Sequence, residues 1–226
     1  MNSFAEAAEL CTRLAPIDLD RVPVYVVPQT RVPADRGGRS AFAGFTHPTL
    51  DLMLKDVIGA EWRGRGAAMV IHQHYTADRE LFASIVVHEL AHVLDRPAPY
   101  SIAPVDEEPA CLATRSRAVG EAVARPDRLA DLAPETGHEW PFVRAVSHLE
   151  HRARELGVAL DPFTLLPHSF YGLSALRYYR CALGDEPARM AGASFAEIAT
   201  HAPPAGLRWL FDDDTRPPTM KGQLCP

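Results

Sequence analysis

Residues 79–94 read RELFASIVVHELAHVL. From Leu81 onward the apolar residues fall on every side of a helix wound at about 3.6 residues per turn, so the helix must be buried around most of its circumference. Pro97 and Pro99 forbid its continuation, and Thr76 or Asp78 supplies a cap at its start. Its second half nevertheless carries three ionisable groups, in His88-Glu89-Leu90-Ala91-His92. Two histidines at i and i+4 face the same way about one turn apart, which suits two imidazoles on one metal ion. Glu89 points to the adjacent edge of that face, where its carboxylate can accept a proton from water activated by the metal without itself binding the ion.

A chance HExxH in a chain of this length has a probability of roughly a few per cent, so the surroundings carry the weight. Ile85, Val86, Val87, Leu90, Ala91, Val93 and Leu94 flank the motif. Ionisable side chains in so apolar a helix need partners, and a metal ion supplies them. The bland alternative is a buried His-Glu-His cluster held by hydrogen bonds. A catalytic zinc site uses three protein ligands and an open position, so a third donor is required. The metzincin pattern would place glycine at 95 and histidine at 98, but the chain has Asp95 and Ala98, which excludes that subclass. Glu107 and Glu108 are candidates at the start of the next helix, where acidic residues also offset the helix dipole. His138, in Gly137-His138-Glu139-Trp140-Pro141-Phe142, is the other.

The wider chain sets the frame. Its 226 residues are 47% hydrophobic and 23% charged, ordinary for a soluble globular domain with a real core. A formal charge of -6 argues against a protein whose main business is gripping nucleic-acid phosphates. The start, MNSFAEAAELCTRLAP, carries Glu6 and Glu9 where a secretory signal needs a basic start and an apolar run, and no stretch is apolar enough to span a membrane. Cys11, Cys111, Cys181 and Cys225 are too far apart for a zinc ribbon or redox pair, so a reduced cytoplasmic protein is expected. Oligomeric state is not legible.

Periodicity predicts a short helix over 5–14, a strand over 22–27, a loop over 30–40, an extended piece around 41–46 and a strand over 67–75. A proline-rich connection follows the HExxH helix, with 97–109 placed as a lid over the site. A helix over about 106–125, an irregular stretch over 126–137 and a helix over 139–156 come next. In that last helix Phe142, Val143, Val146 and Leu149 recur at helical spacing. Two or three shorter helices and a Pro/Asp-rich tail complete the chain. No repeat or interdomain linker is evident, so one domain is expected, with a core over about 20–156 and a helical extension over about 160–226.

Strand, HExxH helix, intervening helix and Gly-His segment, about residues 67–155, resemble the SprT-like zinc metallopeptidases. In that family a separate Gly-His segment, with an aromatic residue a few positions on, supplies the third histidine. The resemblance implies His88, His92 and His138 as zinc ligands, Glu89 as general base, and an α+β zincin-like fold in which a small mixed sheet packs on the buried helix. It also implies that residues 68–74 form an edge strand along which an extended peptide pairs. Glu139 stands where the family usually has glycine. The expected reaction is hydrolysis of a peptide bond in a peptide or protein substrate; the alternative is a non-catalytic, zinc-stabilised interaction module.

Other polar residues have weaker patterns. His72 and His74 share one face of the expected strand. His148 and His151, one turn apart, are expected in solvent near Glu150. His168, Tyr171, Tyr178 and Tyr179 form the pool for an oxyanion donor, and Asp95 could orient a ligand histidine.

Overall fold

The computed structural model describes residues 1–21, 23–32, 44–48, 56–63, 66–94, 140–165 and 182–204. Helix α1 (Phe4–Leu14) is followed by α2 (Pro16–Arg21) and strand β1 (Val24–Pro28); β2 (Gly44–Pro48) and β3 (Ala67–Ile71) complete a sheet. Then come α3 (Arg79–Leu94) and α4 (Trp140–Glu155), and three short helices, α5 (Pro162–Leu165), α6 (Glu186–Arg189) and α7 (Phe195–Thr200). Among the described residues no helix is long and apolar enough to cross a membrane. The mixture of helices with a small sheet is α+β, as expected.

The sheet order is β1-β3-β2. β1 runs parallel to β3, with Val24 opposite Ala67 and Pro28 opposite Ile71. β2 runs antiparallel, with Gly44 opposite Ile71 and Pro48 opposite Ala67. β3 is therefore the inner strand, and its unbroken apolar run AAMVI is buried throughout because both of its faces are covered. Ala67, Met69 and Ile71 join the main core with α1, α3 and α4. Ala68 and Val70 point the other way, into a smaller cluster with Val27, Val32, Val57 and Ile58, edged by Tyr25 and Trp62. The residues around 56–62 that cover this second face have no periodic signature and are not foreseen from the sequence; neither is α2.

Two expectations are corrected. The strand expected over 67–75 ends at Ile71, and Gln73–Ala77 form a 3-10 turn. The chain must reverse here to lay α3 back on the sheet, and it does so with Tyr75 N donating to His72 O and Thr76 Oγ1 donating to Gln73 O. His72 and His74 thus lie on a turn, packed with Tyr75, rather than on one strand face. Nor is 68–74 an edge: β3 has backbone partners on both sides, and among the described residues the outer strands are β1 and β2. The extended piece expected at 41–46 appears as β2, at 44–48.

His148 overturns a third expectation. It is fully buried, and its Nε2 donates to Glu186 Oε1 at 2.9 Å. Arg144 Nε donates to the same oxygen at 2.7 Å, and its Nη1 reaches the His201 carbonyl. One turn beyond, Arg152 donates to the carbonyls of Leu14 and Ala193 and lies 4.6 Å over the Phe195 ring. Arg144, His148 and Arg152, at i, i+4 and i+8, form a polar stripe on α4 that is hidden because α6, α7 and α1 close over it. Asp18 of α2 finishes the clasp by accepting from Phe195 N at the start of α7. His151 stays partly exposed.

Burial holds the His148 imidazole below its ordinary value of 6.5 despite the Glu186 bond. Burial by itself would raise Glu186, but the bonds from His148 and Arg144 carry it below the ordinary carboxylate value. Both folded values are depressed, so the unfolded chain binds more protons in acid. The stabilisation is complete above the unfolded histidine value and is lost as pH falls through the two folded values, with His88, also lowered by desolvation, adding in the same direction.

Two measurements check this account. The urea midpoint should drop between about pH 7.5 and about pH 5, and His148→Gln should flatten that drop; an unchanged slope would contradict it. Gly66 has φ +118, and a Cβ there would lie 2.1 Å from the Pro23 carbonyl oxygen, which accepts from Ala67 N at the mouth of the β1–β3 ladder. Gly66→Ala should destabilise by on the order of 3 kcal/mol. Gly59→Ala, at φ +75 with open space around it, should cost about 1 kcal/mol.

Candidate metal centre

The expected HExxH helix has the bounds read from the sequence, Arg79–Leu94. Asp78 is the cap, its Oδ1 accepting from Glu80 N and Leu81 N, whereas Thr76 is engaged in the preceding turn. Ten of its side chains are buried, from Phe82 through Val93, because β2, β3, α1, α4 and α5 pack around it. His88 and His92 remain partly exposed on this otherwise covered rod, and Glu89 between them is 5% exposed.

The two imidazole centroids are 5.0 Å apart, with the rings at 77°. Two imidazoles bound through nitrogen at about 2.0–2.1 Å to one tetrahedral ion place their centroids about 5 Å apart, the separation of this pair. His88 Nδ1 lies 2.9 Å from the Leu165 carbonyl oxygen. A carbonyl only accepts, so the proton sits on Nδ1 and the lone pair on Nε2, the tautomer a metal needs. Burial pushes His88 down to about 4, although the Leu165 bond acts in the opposite sense. The imidazole is neutral at physiological pH.

α4 contributes one aromatic ring to both histidines. Phe142, fully buried, stacks on His92 at 4.3 Å and 29° and meets His88 edge-on at 4.9 Å. Its position in the first turn of α4 explains why that helix is needed at the site as well as in the core. Helical spacing marks Phe142 as a packing residue, but nothing local says that the surface it packs on is a pair of imidazoles. The Leu165 carbonyl has no signature in sequence at all, since every residue has one.

Among the described residues, no group of three or more His, Cys, Asp or Glu side chains is placed to hold a metal ion. The candidate third ligands His138, Glu107 and Glu108 lie outside the described residues, as do Asp95, the 97–109 segment, and His168, Tyr171, Tyr178 and Tyr179. His72 and His74 sit on the turn before α3, at the opposite end of that helix from His92.

Truncating the shared aromatic gives a direct check. Phe142→Ala should destabilise the fold by about 3–5 kcal/mol in urea titration. Phe142→Leu, which keeps most of the volume and loses the ring faces, should cost less.

Compared with family models, with curated proteins and with solved structures, the chain matches none of them.

Proposed function

We propose that the protein is a zinc-dependent metallopeptidase of the HExxH class with a zincin-like fold. The observation that carries the reading is the pair of imidazoles at 5.0 Å, one of them held through Nδ1 by the Leu165 carbonyl, beside a buried carboxylate on the same helix. His88 and His92 would hold the ion, with His138 as the third ligand implied by the resemblance to SprT-like peptidases and Glu107 or Glu108 as the alternatives. Zinc at this place supplies Lewis acidity, polarising a peptide carbonyl and acidifying water.

The remaining work falls to the chain. Glu89 takes a proton from the attacking water and returns it to the leaving amine, a role for which its place one residue after His88 suits it. Glu89 is only 5% exposed, which limits the access of bulk water to that carboxylate. Phe142 keeps the two imidazoles from rotating out of register. β3 is enclosed, and among the described residues β2 is an outer strand packed against α3, so an extended substrate would add there.

Glu89→Gln should retain zinc and lower hydrolysis of an unstructured protein substrate by on the order of 100-fold or more. His88→Ala or His92→Ala should abolish zinc binding, measured as metal content of the purified protein. His138→Ala should do the same while Glu107→Ala and Glu108→Ala do not; full zinc retention without His138 moves the third ligand to one of those glutamates. Bound zinc with no hydrolysis, unaffected by Glu89→Gln, would instead identify a zinc-stabilised interaction module.

A further inference from the structure

Ser84 is fully buried on α3, one turn before His88. Its hydroxyl has two partners. It donates to the Glu80 carbonyl at 2.8 Å, and its oxygen accepts from the backbone N–H of Asp161 at 2.6 Å. Asp161 heads α5. Its Oδ2 accepts from Thr164 N at 3.1 Å and from the Thr164 hydroxyl, and its carbonyl accepts from Leu165 N at 3.2 Å. The last residue of this one-turn helix, Leu165, is fully buried and presents its carbonyl to His88 Nδ1. The segment 161–165 therefore touches α3 at two points one helical turn apart, hung from Ser84 at its head and holding an imidazole at its tail.

We propose that Ser84 and Asp161 are positioning residues that act through this turn to set the tautomer of His88. The inference rests on the reading of His88 as a metal ligand for its functional meaning, but the clamp itself is built from the chain's own groups. Neutral imidazole in a protein takes either tautomer, and the carbonyl opposite Nδ1 favours the Nδ1–H form here. Ser84 bonds the head of the turn, and Asp161 makes 161–165 a capped unit that carries a constraint at one end to the other.

The test uses the full chain labelled with 15N-histidine and measured without metal, followed by zinc titration. In the parent protein His88 should appear as one tautomer, protonated on Nδ1. Ser84→Ala and Asp161→Ala, folded by circular dichroism, should each give a mixture of tautomers at His88 and weaken zinc binding by about 10-fold or more, within the range usual for lost outer partners of a ligand histidine. Ser84→Thr, which keeps the hydroxyl, should restore the single tautomer. A folded Ser84→Ala or Asp161→Ala protein with His88 still purely Nδ1-protonated overturns the proposal, and Asp161→Ala, at a half-buried position, decides it if Ser84→Ala does not fold. Failure of the parent protein to bind zinc would defeat the peptidase reading alone, because the tautomer measurement still decides the clamp.

Discussion

The molecule is organised around the burial of one helix that is apolar on nearly every side yet carries two imidazoles and a carboxylate. Burying α3 takes a layer on each flank: the sheet with α1, then α4, then the single turn of α5. Each layer also does something specific to the polar groups. α5 turns a backbone carbonyl onto His88, and α4 lays Phe142 across both rings. Burying an imidazole costs free energy unless its hydrogen-bonding capacity is met, so the packing of the helix and the orientation of its histidines are one problem with one solution.

α4 serves two neighbours with two faces. Phe142, Val143, Val146 and Leu149 pack toward α3 and the main core, whereas Arg144, His148 and Arg152 meet Glu186 and the carbonyls of Leu14, Ala193 and His201. Buried ionic groups of this kind seldom add much net stability, since desolvation offsets most of the attraction. They tie neighbouring elements together: Glu186 of α6 is shared by Arg144 and His148 of α4, and Arg152 joins the Leu14 carbonyl of α1 to the Ala193 carbonyl just before α7. The aromatic ring that contacts the histidines is thereby attached to a helix whose rotation is constrained on its far side.

Some of this was legible beforehand. The bounds of α3, the cap at its start, the placement of α4 to within a residue and the pairing of His88 with His92 follow from short-range pattern, because helix period and i, i+4 geometry are properties of a few consecutive residues. His148 departs from the sequence expectation for the same reason. Helical spacing with His151 and Glu150 describes a solvated face equally well, and only a glutamate nearly forty positions along the chain, brought back by α6, makes the stripe an interior one. The strand AAMVI is legible in the sequence but not its end, because the alternation of His72 and His74 continues the pattern while the backbone has already turned.

By itself, then, the sequence determined which helix would be buried, where it would begin and end, and that two imidazoles and a carboxylate would share its surface, since all of these depend on spacing within one segment. The tertiary structure alone decided that β3 lies inside the sheet and β2 outside it, that His148 faces Glu186, and that a carbonyl at Leu165 selects the proton position on His88. Those outcomes depend on contacts between residues tens of positions apart, made through backbone groups and shared faces that leave no periodic trace in the chain.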